Sequence, residues 1–466
     1  MKPVSSTRPG STTLALPKMP RLGWLECILL AQTLLPAMMF IPQLLPLRLL
    51  TRVASFALPI MAWGYFIFSG RKVAGGRLYP PVFPLMFIMG WLTLSIMHPT
   101  VNTLTSAMCA VGIIVGVFCP AFWAPASITD SRQLRRVVIL LLMCNGASAL
   151  MGIAQVYRPD TFRPPKIAIF EADATKEDSM TIKTDDGRSF LRPPGLTDSP
   201  GGAATGGVIS CAFGLAVALA PGLWWKRLAA LGLALVGITI LFYSQVRSLT
   251  ITLVIGICVW GVLLAARGEY RKLSTLMAYV CLLGVLSVGW VIRDGGDAVI
   301  GRFAALFEDR VTTVYYANRG AFIEYAFAEY LPRYPLGAGP GRTGMASSMF
   351  GNLLAPPDRA PIYTETQIEM WILDGGLPLL IAYPFALILA IASAVKTALK
   401  CPDSDVAYWA GAVLIFTVTV LVSSLGFPAF SSPMGVQFWA LLGAVYGAQE
   451  FARVEAVKAR LRASTP

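Results

Sequence analysis

Apolar residues along this 466-residue chain come in long blocks and not in the two- or 3.6-residue alternation of a soluble strand or helix. Each block holds about 18 to 24 mostly apolar residues, the length that crosses roughly 30 Å of hydrocarbon as a helix. The blocks fall at about 24–46, 51–69, 79–97, 101–123, 136–157, 203–220, 228–245, 248–266, 274–292, 367–395, 406–424 and 433–450. They predict an all-α polytopic membrane protein of about twelve transmembrane helices. No internal repeat is visible, so residues 1–466 are read as a single polytopic membrane domain. The first block is long and lacks a small-residue cleavage site, so it is expected to stay as a span.

Composition agrees: 56% of residues are hydrophobic and 14% charged, against about 25% charged in soluble domains. The placement of Lys and Arg sets the orientation, because translocating them across the bilayer is unfavourable. With the N-terminus cytoplasmic, every inner segment is basic: Lys2, Arg8, Lys18 and Arg21; Arg71, Lys72 and Arg77; Arg132, Arg135 and Arg136; Lys226 and Arg227; Arg267, Arg271 and Lys272; Lys396 and Lys400; Arg453, Lys458, Arg460 and Arg462. Short outer turns carry only Arg48, Arg52 and Arg247. Both termini are therefore expected inside, and the net charge of +13 reflects topology and not a nucleic-acid partner.

Two outer segments exceed a connector, 158–202 and 293–365, and both mix acids with bases; long loops of this kind carry function. The eight cysteines fall in spans or on the inner side, so no outer disulfide framework is expected, and no His/Cys cluster suggests a metal. His98, the single histidine, lies at an outer helix end beside Pro99, where capping or an interfacial role is expected. "GPGRTG" (339–344) has dinucleotide-loop spacing but lacks the βαβ context that gives it meaning. "PDSD", with Asp403 and Asp405, resembles a metal-holding DxD yet sits in a short inner turn beside Lys400, as a solvated turn would.

Four outer-face stretches carry the candidate chemistry. "SFLRPPGLTDSPGGAATG" places Arg192 before a proline–glycine turn. "FYSQVRSLTITLVIG" places Arg247 in a very short turn, where an arginine costs about 2.5–3.5 kcal/mol at the bilayer centre and should face a polar cavity or an anion. "NRGAFIEYAFAEYLPRYPLGAGPGRTG" predicts a short amphipathic helix with Arg319 and Glu324 leading into a glycine-rich turn that contains Arg342 and could approach a ligand closely. "YTETQIEMWILDGGLPLLI" carries Glu365, Glu369 and Asp374 into a span. On a helix the two glutamates share a face, while Asp374 precedes Gly375–Gly376, a pair suited to a helix break.

Taken in order and with this topology, "RPPGLTDSP", "SQVRS", "YPLGAGPG" and "ETQIEMWILDGGLPLLI" resemble the O-antigen ligase and Wzy-type polysaccharide polymerase superfamily of bacterial inner membranes. The resemblance implies a C-type glycosyltransferase, inverting and independent of metal or other cofactor. It implies a donor glycan on undecaprenyl diphosphate, transferred at the periplasmic face to an acceptor hydroxyl. The family's diphosphate-holding arginines carry over to Arg192 and Arg247, with Arg319 and Arg342 as further candidates for that group. Guanidinium forks suit the role, because they neutralise a diphosphate leaving group bidentately. Ligases of the family place a histidine eleven residues before the motif's second glycine; here that place, counted from Gly376, is held by Glu365.

Glu365 is thus the expected general base, and a polymerase of O-antigen, capsule or exopolysaccharide is the leading reading. Pairing of Glu365 with Arg319 or Arg342 to order the loop is its alternative role. A ligase acting on a lipid A–core acceptor, and a lipid-linked glycan flippase, are the other two functions weighed. Expected partners are the lipid-linked donor, the glycan or lipid A–core acceptor and the bilayer, with a flippase and a chain-length regulator as candidate neighbours and no nucleic acid.

Overall fold

The computed structural model describes residues 22–130, 132–162, 181–183, 189–197, 201–308 and 315–464. Most of the expected outer loop 158–202 lies outside them. The architecture is that of an α-helical multi-pass membrane protein, with thirteen principal helices among the described residues: α1 Trp24–Ala37, α2 Arg48–Phe68, α3 Val82–Ser95, α4 Leu104–Phe118, α5 Pro120–Ser127, α6 Gln133–Tyr157, α7 Gly202–Leu219, α8 Trp224–Ser244, α9 Arg247–Ala266, α10 Tyr270–Glu308, α11 Gln367–Lys400, α12 Ser404–Ser423 and α13 Pro433–Ala463. The one sheet among these residues is a two-stranded antiparallel ribbon, β1 Thr181–Lys183 on β2 Ser189–Leu191, with Thr181 opposite Leu191.

Every apolar block of the sequence coincides with helix. Among the described residues nine helices, counting α4 and α5 as one stretch, are long and apolar enough to cross a membrane. The other three blocks meet α1, α3 and α13. α1 and α3 are apolar but have only 14 residues each. α1 is short because Pro36 sits in its last turn and the chain continues through tight 3₁₀ turns at Met38–Phe40 and Pro42–Leu47, where proline removes the amide that would extend the helix. α13 is 31 residues long and ends in Arg460 and Arg462. α10 differs from expectation more sharply: its 39 residues carry helix through position 293, where the large outer loop was expected to begin, and on to Glu308.

The core is organised around α13, whose residues from Met434 to Ala448 are all buried. A helix apolar on every side belongs at the centre of a bundle. Trp439 donates its indole N–H to Tyr383 on α11 at 3.1 Å, and Phe430, Phe438, Trp371 and Tyr383 form an aromatic cluster around the same level. α7 and α8 pack backbone to backbone: a Cβ on Gly237 would stand 2.5 Å from Gly207 O. Small residues at such a crossing are how apolar helices associate in lipid, where the hydrophobic effect gives no driving force between them.

α11 is broken. Gly376 has φ 62° and ψ −152° inside the helix, a region that is essentially glycine-only. Three partners take up the backbone groups released there. Leu377 N donates to Pro335 O at 2.8 Å, Ala338 N donates to Leu373 O at 2.7 Å, and Trp91 on α3 donates its indole N–H to Gly375 O at 2.8 Å. A Cβ on Gly376 would run into Pro335 O and Gly337 N. Gly376→Ala is therefore expected to destabilise by at least about 1–3 kcal/mol from the backbone conformation alone, while Gly232→Ala on α8, whose Cβ meets nothing within 4 Å, should be neutral or slightly stabilising. Unfolding midpoints of the two purified variants in the same detergent check this, and equal midpoints contradict it.

Candidate functional site

The site begins with the loop joining α3 to α4, residues 96–103, which forms a platform. Thr100 donates its hydroxyl to Ala338 O at 2.6 Å. Asn102 donates from its amide nitrogen to Asn352 O at 3.0 Å and Arg359 O at 2.8 Å, and accepts from Asn352 N at 2.6 Å. Thr103 donates to Phe350 O at 3.0 Å. This platform holds the segment 337–362. The glycines of "GAGPG" serve the same end: a Cβ on Gly337 would stand 2.9 Å from Gly375 Cα, and one on Gly341 would stand 2.5 Å from Ala107 N. They admit neighbouring backbone, where the sequence suggested a ligand.

The acids that enter α11 divide their roles. Thr366 is the N-cap, and Glu369 completes a capping box. Glu369 Oε2 accepts from Thr366 N at 2.8 Å, Glu365 N at 3.0 Å and Thr366 Oγ1 at 2.9 Å. Such a box satisfies amides that the first helical turn leaves orphaned. Glu365 precedes the cap and is therefore not on the helix, so the two glutamates do not share a helical face. Asp374 is 2% exposed and accepts from the Thr343 hydroxyl at 3.2 Å, tying the break to the glycine-rich loop.

Glu365 has both oxygens engaged: Arg319 pairs with Oε2, and the Tyr363 hydroxyl donates to Oε1. The bond to Glu365, with partial burial, pushes the Tyr363 phenol up to about 12. Arg319 comes from the helical segment 316–333, which alternates π turns at Tyr316–Gly320 and Ala326–Tyr330 with α turns. Helix forms where the sequence placed an amphipathic one, with Ala326 its one buried residue among those described, and within it the Tyr316 hydroxyl donates to Glu324.

Arg192 approaches Arg319 from the other side. Its turn is pinned to α6, where Gln155 accepts from Gly195 N at 2.9 Å and donates to Gly195 O at 2.9 Å, and Ser148 accepts from Leu196 N at 3.1 Å. Burial and the charge of Arg319 both make the Arg192 cation harder to hold, burial more so. Its Nε is buried without a hydrogen-bond partner. A Cβ on Gly201 would lie 3.8 Å from Arg192 Nη2 and 3.2 Å from Val246 Cγ2, so Arg192 abuts the "SQVR" turn. There Gln245 takes the left-handed conformation, φ 54°, and Arg247 opens α9 half-buried, with no ion pair among the described residues. The structure thus brings Arg192, Arg319 and Glu365 together, while Arg247 follows Val246, the residue of its turn that lies nearest the Arg192 side chain.

Arg342 stands apart. It is 2% exposed, donates from Nε to Ala360 O at 3.0 Å, and lies 5.7 Å from the centre of the Tyr334 ring, while its Nη1 is buried without a partner. It braces the loop from inside. His98 lies close by, against the Cβ position of Gly339 at 3.2 Å and bonded to Thr100 Oγ1 at 3.0 Å. The "HPTVNT" platform and the "TQIE" capping box went unread at the sequence level, although the spacing Thr-x-x-Glu was there to find.

No family model matches the chain, and no curated protein does either. The arrangement sets two guanidiniums, Arg192 and Arg319, beside one carboxylate, Glu365. Burial first, and then the Arg342 charge, hold His98 below its ordinary basicity. The folded chain therefore resists a proton that the unfolded chain accepts, and this part of the stability is present above about pH 6.5 and lost as pH falls below it. The unfolding midpoint should fall more steeply from pH 7.5 to pH 5 in the wild type than in His98→Gln; equal slopes contradict the placement.

Proposed function

We propose that the chain is a membrane glycosyltransferase of the O-antigen ligase and Wzy-type polymerase kind. In this reading it has twelve spans with both termini cytoplasmic, sits in a bacterial inner membrane and works at the periplasmic face. It moves glycan repeat units from an undecaprenyl diphosphate-linked donor onto an acceptor sugar hydroxyl. The observation that carries the reading is the Arg319–Glu365 ion pair with Arg192 set against it: a carboxylate and two guanidiniums at one place. A flippase would need charge along its spans, lining a central path, whereas these charges collect at loop–helix junctions.

In the reaction the acceptor oxygen attacks the anomeric carbon of the donor sugar, and its proton passes to Glu365. The bond from that carbon to the diphosphate oxygen breaks, and the electron pair leaves with undecaprenyl diphosphate. Arg192 and Arg247 stabilise the leaving charge. Arg319 links the two halves, because a guanidinium that turns to the incoming diphosphate frees the Glu365 carboxylate for the hydroxyl.

The test uses purified full-length protein with a lipid-linked repeat unit as donor. General-base assistance is worth about 10²–10⁴ in rate, so Glu365→Gln should lower turnover by that factor while the protein still folds, its unfolding midpoint lowered only by loss of the Arg319 pair. Arg192→Lys and Arg247→Lys, which keep charge but lose the fork, should each cost about tenfold or more. Lengthened glycan on the carrier lipid identifies a polymerase, and glycan found only on lipid A–core identifies a ligase. Full turnover by Glu365→Gln removes the base assignment.

A further inference from the structure

At the other end of the bundle, the ends of α1, α2 and α6 with neighbouring loop residues form an open pocket of about 410 Å³ lined by Trp24, Glu26, Phe66, Arg71, Gln133 and Arg136 among others. Gln133 in its wall opens α6, and Gln155, which holds the Arg192 turn, lies about 33 Å further along the same helix. The pocket shares no residue with the site described above and stands independently of the proposed reaction.

The pocket holds opposite charges that do not pair with one another. Glu26 is 5% exposed, and its one hydrogen bond from a side chain comes from Gln133 Nε2 at 3.3 Å. Gln133 is itself fixed by accepting from Thr129 N at 3.1 Å. Glu26 lies in the first turn of α1, whose amide dipoles favour a negative charge there. Arg136 reaches Asp130 only at 3.9 Å, and its Nε is buried with no hydrogen-bond partner. Arg71 lies 5.8 Å from the Tyr65 and Phe66 ring centres and makes no ion pair among the described residues. Of these charges Glu26 is the buried one, and buried charge is costly unless it is paired, yet it forms no ion pair with Arg71, which is exposed, or with Arg136, whose side chain is 41% exposed.

We propose that the pocket binds the phosphoethanolamine headgroup of a phospholipid, with the phosphate between Arg71 and Arg136 and the ammonium on Glu26. A zwitterion of this size answers Glu26 and the two guanidiniums at once; an anionic headgroup would leave Glu26 facing like charge. The rim argues for a lipid-borne ligand: Leu22 is 61% and Trp24 39% exposed, an apolar and aromatic border of the kind found where helices meet the membrane interface.

The test incubates full-length protein in mild detergent with equal phosphatidylethanolamine and phosphatidylglycerol, and counts retained lipids by native mass spectrometry. Wild type should prefer phosphatidylethanolamine by about tenfold, the equivalent of one charge-assisted hydrogen bond. Glu26→Gln, close to isosteric, should lose that preference while still retaining lipid, and Arg136→Gln should lose both lipids. Arg71→Gln, in a loop outside the helix packing, repeats the phosphate test should Arg136→Gln fail to elute as a single species. Equal retention of the two lipids by wild type, or an unchanged preference in Glu26→Gln, overturns the proposal. Retention of no lipid, with soluble O-phosphoethanolamine raising the unfolding midpoint of wild type but not of Glu26→Gln, overturns the lipid source and keeps the headgroup chemistry.

Discussion

The clasp at Gly375–Gly376 is the constraint on which the outer end of this protein depends. A helix interrupted inside a membrane protein releases amides and carbonyls that lipid cannot satisfy. Here Pro335, Ala338 and Trp91 take them up, at bond lengths that require bare backbone on both sides. The broken span is thus the docking point for the glycine-rich loop, and two motifs separated by about forty residues of sequence act as one joint. The Thr343–Asp374 hydrogen bond closes it from the side, replacing exposure of a carboxylate in a span with a neutral donor.

Once the joint is fixed, the entry to α11 is fixed with it. Gln367 accepts from Phe430 N at 2.7 Å, its own N–H donates to Ser424 O at 3.1 Å, and the capping box seals the first turn. Glu365 is the last residue before that rigid start. It is placed by the cap, not by the helix, and it projects to where the 316–333 segment brings Arg319. Arg192 arrives on an independent support, the turn clamped by Gln155 and Ser148. Side chains held by separate rigid elements are the geometry that charge-stabilising sites require, and Arg192, Arg319 and Glu365 are held in that way.

Much of this was legible in the sequence because lipid leaves a chain few options: apolar blocks of sufficient length become helices, and all of them do so here. The Gly375–Gly376 break, the helix around Arg319 and the ion pair open to Glu365 were also readable from spacing. Three things were not. Arg342 looked like its partners but is sunk beneath the loop against Ala360 and Tyr334, and residue type alone cannot separate a brace from a ligand contact. The glycines of "GAGPG" signalled close approach without saying to what; the answer, Gly375 and the α3–α4 loop, depends on contacts between distant parts of the chain. Glu369 was assigned to a face shared with Glu365 because helical periodicity was extended across the cap, where it no longer applies.

The central claim is that Glu365 does chemistry and does not merely pair with Arg319, and exchanging the two charges separates these roles. Transfer from a lipid-linked donor and the unfolding midpoint are measured for Arg319→Glu, for Glu365→Arg and for the double variant. The account predicts that the double variant recovers the midpoint lost by the single ones, because the ion pair re-forms, while transfer stays about 10²-fold or more below wild type because the carboxylate has moved from the acceptor hydroxyl. Recovery of transfer together with stability would contradict it and leave Glu365 as a loop-ordering residue.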